Sequence, residues 1–128
     1  MSDQSPRIRR QPIPDAAHLV VRGDEDPEVQ ERMAKVFLRR YPAWGRYGLS
    51  AYHASGDLEV DQLCRVELVR FPFVLVLRRV VVEEAVEVVP TGHRPHVTLA
   101  STDLAALLAA VAEAIDRRAN PYHVGERS

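Results

Sequence analysis

The sequence predicts an α/β (α+β) fold, a compact two-layer sandwich in which a mixed sheet carries helices mainly on one face. Three observations predict this class. The 128 residues, 46% hydrophobic and 27% charged, fit one domain with a substantial core. Strand-like and helix-like segments alternate along the chain, as in layered α/β domains. No apolar stretch approaches the roughly 18 residues that span a bilayer, so no membrane association is expected.

The composition divides the chain into a flexible basic arm, residues 1–14, and a single α/β domain, residues 15–128. The arm contains three arginines and three prolines but few apolar side chains. Such a segment cannot form a core of its own. We therefore expect the arm to be mobile and its removal to leave stability nearly unchanged.

The first half of the domain alternates strand and helix. The run AHLVVRG predicts a strand that ends at Gly23. Asp26 is a good N-cap and Pro27 suits the first turn of a helix that Pro42 ends. A turn rich in aromatic residues and glycine leads into a second strand, LSAYHA, and Asp57 is expected to cap a short helix that extends to Cys64.

The second half begins with a buried strand over residues 74–77, because this run is apolar and too short for a buried helix. Residues 80–89 favour a short helix followed by a strand at 86–89. The run HVTLA predicts a further strand. Leucines at helical spacing predict a helix over 104–115, capped within 101–103 and followed by Asn120 and Pro121.

The charge balance limits the classes of partner. Seventeen Lys and Arg against eighteen Asp and Glu give a formal net charge of -1, so bulk nonspecific DNA binding is not expected. The single cysteine, Cys64, cannot form an internal disulfide and predicts a buried thiol in a cytoplasmic protein. His93 and His96 lack further donors at close spacing, so no metal site is predicted.

Histidine is the candidate catalytic residue type, because its pKa lies near neutral pH. His96 and Thr98 stand two apart on a predicted strand and therefore share a face. His18 opens the first predicted strand. If the two strands are neighbours, one imidazole could accept a proton while the other donates one to a leaving oxygen. His53 and His123 are expected at the surface.

The segment HRPHVTLAS (93–101) resembles the second signature of the two-histidine phosphoesterases, the superfamily of bacterial RNA 2′,5′-ligases and cyclic phosphodiesterases. HLVVRG (18–23) is the candidate first signature, with Val20 where the family has a hydroxyl residue. The resemblance implies a degenerate phosphoesterase that acts on an RNA or nucleotide phosphodiester without a cofactor. His18 and His96 would be catalytic, and the expected substrate-binding residues are Thr98, Arg22, Arg94 and Tyr47.

Two alternatives remain open. Arg22, Ser50 and either Glu84 or Glu87 resemble the arginine, serine and glutamate of ADP-ribosyltransferases, which use NAD. The chain could instead be a noncatalytic interaction module of a small two-component, toxin–antitoxin-like pair, with the basic arm and apolar strand edges docking a partner protein. The mutual position of His18 and His96, compared with the surroundings of Arg22 and Ser50, discriminates between the two enzymes.

Overall fold

A computed structural model describes residues 6–10, 13, 18–22 and 26–123, and it confirms the α+β class. The described residues form four helices and six strands. In chain order these are β1 (His18–Arg22), α1 (Pro27–Arg40), β2 (Tyr47–Ala54), α2 (Asp57–Arg65), β3 (Phe73–Arg78), α3 (Arg79–Glu83), β4 (Glu87–Pro90), β5 (His96–Ser101), α4 (Leu104–Ala114) and β6 (Ile115–Ala119). The strands form one sheet in the order β4-β5-β2-β1-β3-β6.

All five pairings between the described strands are antiparallel, so the sheet is not mixed as the alternation of strands and helices suggested. Helical connections usually join parallel neighbours. Here β2 and β3 do run in the same direction, but β1 lies between them and pairs with both. The helices therefore connect strands without creating a parallel pair.

The central strands β1 and β3 are buried on both faces of the sheet. On one face lies a larger core, formed with residues of α1, α3 and α4, and on the other a smaller core, formed mainly with α2. The larger core comprises Leu19, Val21, Ala34, Leu49, Ala51, Leu75, Leu77, Val82, Val86, Val97, Leu99, Leu107, Ala110 and Val111. The smaller core comprises Val20, Ala54, Val60, Leu63, Cys64, Leu68, Val74 and Val76. Each fully buried Val or Leu stabilises the fold by about 1.5–3 kcal/mol.

The sequence suggested a cap for three of the four described helices, and two of these three caps are present. The Asp26 carboxylate accepts a hydrogen bond from the Glu28 amide at 3.0 Å, and Asp103 caps α4 through the Ala106 amide. Asp57, however, is the first residue of α2, and Gly56 occupies the cap position without a side-chain bond. The Asp57 carboxylate instead accepts a hydrogen bond from Arg118 at 3.0 Å, so a tertiary ion pair replaces the expected cap.

The short helix α3 followed by β4 confirms the helix-then-strand prediction for residues 80–89. The end of α4 differs from the prediction. The helix stops at Ala114, and residues 115–119 form β6 against β3. The apolar strand β3 has an open edge on that side, and its backbone hydrogen bonds outweigh the helical propensity of IDRRA. The Arg117 guanidinium also lies 3.7 Å from the centre of the Phe73 ring.

The described part of the N-terminal segment lies against the sheet. Ile8 forms an isolated antiparallel bridge with Thr91, the Arg9 amide donates to the Pro90 carbonyl at 2.8 Å, and the Gly92 amide donates to the Arg7 carbonyl at 2.9 Å. Composition does not indicate these contacts, because they join backbone groups. They are a reason to expect that removing the segment weakens the fold.

Within the described ranges, no helix combines the length and apolar character needed to cross a membrane.

Asn120 ties the end of β6 to the turn that follows α2. Its side chain is buried, and its Nδ2 donates to the carbonyls of Cys64 at 3.0 Å and Leu68 at 2.8 Å. Its Oδ1 accepts from the Tyr122 amide at 2.9 Å. One amide side chain thus satisfies three buried or partly buried backbone groups.

Replacing this amide should destabilise the protein. We expect Asn120→Ala to lower the free energy of unfolding by about 2–3 kcal/mol, because two carbonyls lose their donor. Asn120→Asp should cost at least as much at neutral pH, since a carboxylate oxygen would face those carbonyls. Urea denaturation followed by circular dichroism measures both, with Glu113→Gln, at an exposed position of α4, as control. Wild-type stability of Asn120→Asp would contradict this account.

Candidate functional site around His96

A cavity of about 560 Å³ lies between α1, β2, β5, the turn after β4 and the N-terminal segment. Its lining residues are Pro6, Arg7, Arg32, Met33, Val36, Phe37, Arg40, Tyr41, Gly48, Ser50, Thr91, Gly92, His96 and Thr98. Gly48 permits the close approach of α1, because a Cβ atom there would lie 2.5 Å from the Phe37 ring. The predicted pair His96 and Thr98 therefore shares one cavity wall.

A chain of hydrogen bonds holds His96. Its Nδ1 lies 3.0 Å from the Thr91 Oγ1 and 3.2 Å from the Thr91 carbonyl oxygen. The Thr91 Oγ1 lies 2.7 Å from the Thr98 Oγ1. Both threonines are buried, so each hydroxyl depends on this chain for a partner.

The carbonyl contact indicates the tautomer of the neutral ring. A carbonyl oxygen can only accept, so Nδ1 carries the hydrogen and Nε2 carries the lone pair. Nε2 has no hydrogen-bond partner among the described residues, and it is not among their buried unpaired polar atoms. The nitrogen that can act as a base is therefore the one left open.

The turn that precedes β5 requires a glycine. Gly92 has φ of +63°, a left-handed conformation that disfavours residues with a Cβ. A Cβ at this position would also lie 3.5 Å from the His96 Nδ1. Thr91 and Gly92 thus place the hydroxyl and the imidazole within bonding distance of each other.

The charge of the cavity is one-sided. Arg7, Arg32 and Arg40 line it, and among the described residues no aspartate or glutamate does. In the part of the chain that the structure describes, none of these three guanidinium groups forms an ion pair. The cavity therefore favours an anionic ligand.

Burial lowers the pKa of His96, and the nearby Arg9 charge lowers it further, whereas the hydrogen bond to the Thr91 carbonyl raises it. The net shift is downward from 6.5. The ring is therefore neutral at pH 7 and able to accept a proton.

The structure places His18 on the same sheet face as His96 but not in the cavity. His18 pairs with Ala54 and His96 pairs with Tyr52, so β2 lies between the two histidines. Strand spacing puts their Cα atoms roughly 12 Å apart. The Tyr52 ring lies edge-on against His96, with centroids 5.4 Å apart, and the His18 Nδ1 is buried without a hydrogen-bond partner.

The other expected substrate-binding residues lie apart from the cavity. Tyr47 begins β2 opposite Ser101 and packs against the larger core. Arg94 lines a second cavity beside α2. Arg22 ends β1 opposite Val74, and the position of its side chain is outside what the structure describes.

The residues of the transferase alternative are also dispersed. Ser50 lines the His96 cavity, whereas Glu84 and Glu87 line a different pocket near the start of β4. Glu87 forms an ion pair with Arg46 at 2.9 Å. The cavity that contains Ser50 thus lacks the glutamate that this chemistry uses.

Several site residues were not indicated by the sequence. Arg9 contacts residues more than 80 positions away along the chain. Thr91 contacts His96 across the turn that precedes β5. Arg32 and Arg40 lie on α1, where an arginine usually marks a solvated face. The only local signal is the Thr91-Gly92 pair just before the histidine segment.

His53 is buried, although we expected it at the surface. Its relative exposure is 4%, its Nε2 lacks a hydrogen-bond partner, and burial lowers its pKa, aided by the charges of Arg9 and Arg94. His53 lies near the end of β2, where it lines a cavity together with residues of α2 and the turn before β5, a tertiary contact that sequence alternation does not show. Among the described residues, no group of three or more His, Cys, Asp and Glu side chains could hold a metal.

The lowered pKa values of His53 and His96 make the stability of the fold depend on pH. His53 and His96 have lowered folded-state pKa values, so the unfolded chain binds protons more tightly. Their stabilising contribution is complete above about pH 7.5 and is lost as the pH falls through 6.5 towards the folded pKa values. We expect His53→Gln to reduce the loss of unfolding free energy between about pH 7.5 and about pH 5.5.

Urea denaturation at both pH values measures this loss, with His93→Gln, an exposed turn residue, as control. An identical pH dependence in wild type and His53→Gln would contradict the assignment.

Comparisons with protein family models, with curated proteins and with solved structures found no match to this chain. The resemblance to a phosphoesterase signature therefore rests on the sequence of residues 93–101 and has no support from these comparisons. The function must be argued from the geometry and charge of the cavity.

Proposed function

We propose that the protein binds a phosphate ester in the His96 cavity and hydrolyses an RNA or nucleotide phosphodiester, with His96 as the proton-transfer residue. One observation carries the proposal: within the described residues, a neutral, fixed imidazole shares a cavity with three arginines and no carboxylate. Such a cavity attracts an anion and stabilises charge that develops on phosphate oxygens.

The two parts of the cavity suit the two parts of a nucleotide. Arg7, Arg32 and Arg40 supply cationic groups for the phosphate. Met33 and Phe37 supply an apolar wall from α1, which suits a nucleobase or ribose. A phosphate ester of a nucleoside therefore uses the cavity more fully than inorganic phosphate does.

In the proposed reaction, Nε2 of His96 takes a proton from a water molecule, and the oxygen of that water forms a bond to the phosphorus of a 2′,3′-cyclic phosphate. The bond from phosphorus to one ribose oxygen breaks, and that oxygen takes a proton from solvent. The imidazolium then releases its proton to solvent. Water is added across one P–O bond, and no cofactor is consumed.

The proposal requires one histidine in the cavity. His18 shares the face of the sheet, but Ala54 and Tyr52 of β2 lie between the two positions, and His18 does not line the cavity. We therefore assign the degenerate first signature no proton-transfer role. A ligand long enough to cross β2 could still reach it.

Activity on adenosine 2′,3′-cyclic monophosphate and on 2′,5′-linked diadenosine monophosphate tests the proposal. We expect His96→Asn to lower kcat by about 10²–10⁴-fold, because the proton acceptor is lost. Thr98→Val should cost about tenfold or less, because it removes only a positioning hydroxyl. The exposed His93→Asn is the matched control, and circular dichroism checks folding.

His18→Asn should retain turnover within about threefold of wild type. A loss as large as that of His96→Asn would restore the two-histidine arrangement. Unchanged turnover in folded His96→Asn, or no turnover of either substrate by wild type, would overturn the proposed function. Calorimetric NAD binding that disappears in Arg22→Ala would favour the transferase alternative.

A further inference from the structure

We propose that Arg9 is a positioning residue that fixes the His96 imidazole by joining the two carbonyl groups at the ends of the turn between β4 and β5. Its mechanistic role depends on the proposed function, but its effect on the imidazole can be measured separately. The N-terminal segment would then be part of the site rather than an appendage.

The contacts of Arg9 are specific. Its Nη1 donates to the Thr91 carbonyl at 2.7 Å and to the His96 carbonyl at 2.6 Å. The Thr91 carbonyl is also the acceptor for the His96 Nδ1 at 3.2 Å. The Arg9 Nη1 therefore binds the Thr91 carbonyl, which is the hydrogen-bond partner of the imidazole, and also the backbone carbonyl of His96 itself.

The backbone of the same segment strengthens this arrangement. The Arg9 amide donates to the Pro90 carbonyl, and the Arg7 carbonyl accepts from the Gly92 amide. Ile8 also forms a bridge with Thr91. The three successive residues 90–92 are thus all paired with residues 7–9. The guanidinium reaches His96 from an anchored backbone.

The partners of Arg9 argue against an ordinary ion pair. It binds two neutral carbonyls and, within the described residues, no carboxylate. Burial and the Arg94 charge lower its pKa, so the cation is held at some cost. Donating hydrogen bonds to two neutral carbonyls does not require Arg9 to be charged. Lowering the pKa of His96 does require the positive charge of Arg9.

The groups near His96 explain why the charge matters. Arg7 from the N-terminal segment, Arg32 and Arg40 from α1, and Tyr41 just after α1 line the same cavity. The Tyr52 ring of β2 contacts the imidazole. Among these and Arg9, the cation that lowers the His96 pKa is Arg9. Removing Arg9 should therefore change both the tautomer and the pKa of the ring.

Nitrogen-15 NMR of the imidazoles in the full chain tests the inference without any substrate. In wild type we expect the tautomer with hydrogen on Nδ1 for His96. In Arg9→Ala we expect a mixture of tautomers and a higher His96 pKa. Arg9→Lys, which keeps the charge and two donors, should restore the wild-type tautomer in part. Arg10→Ala, the loss of an exposed cation one residue away, is the matched control.

Kinetics with adenosine 2′,3′-cyclic monophosphate give the second readout. A positioning role predicts a fall in kcat of about tenfold in Arg9→Ala, with KM changed by less than about twofold. The rising limb of the kcat–pH profile should move to higher pH, and Arg9→Lys should move it back. A merely structural role would lower the amount of folded enzyme without moving that limb.

The outcomes separate this inference from the proposed function. An unchanged His96 tautomer and pKa in folded Arg9→Ala overturns the positioning role, whatever the activity. A changed tautomer in a protein that hydrolyses neither substrate supports the positioning role and overturns the phosphodiesterase. If Arg9→Ala does not fold, Arg9→Gln, which keeps hydrogen-bond donors but not the charge, decides: a His96 pKa above the wild-type value supports the inference, and a wild-type tautomer with a wild-type pKa overturns it.

Discussion

Burial of β1 and β3 on both faces is the constraint on which the architecture depends. Leu19 and Val20, adjacent on β1, are both fully buried, one in the larger core and one in the smaller. A strand of this kind must have a strand on each side and side-chain cover above and below. β2 and β3 supply the flanks, α3 and α4 cover one face, and α2 covers part of the other.

The cover on the second face is incomplete over β2 and β5, and this is where polar side chains collect. Ser50 and Thr98 are paired across these strands, and His96 lies two residues further along β5. Residues of α1 and the N-terminal segment wall off this area without filling it. Helices and strands thus cover β1 and β3 but leave the polar His96 cavity over β2 and β5. The cavity is cationic because arginines line its walls.

Elements with local signals could be predicted from the sequence, and elements that depend on distant partners could not. Asp26, Pro27 and Pro42 mark the limits of α1 with their own backbone preferences, and the apolar run of β3 needs no further information. β6 forms because the edge of β3 is available for pairing, and β3 lies about 40 positions earlier in the chain. The local sequence of residues 115–119 therefore does not indicate a strand. The pairing of His96 with Thr98 follows from strand alternation, whereas its bond to Thr91 depends on a turn, and the contribution of Arg9 depends on the whole sheet.

The direct passage from α4 into β6 has a consequence for synthesis of the protein. β3 is translated well before residues 115–119, so this edge of β3 has no partner until those residues leave the ribosome. An apolar strand with an open edge is a template for pairing with other chains. The nascent protein is thus exposed to aggregation in the interval between the synthesis of β3 and that of β6, and factors that shield strand edges would act in that interval. Asn120, which follows β6, closes this interval by fastening the new strand to the turn after α2.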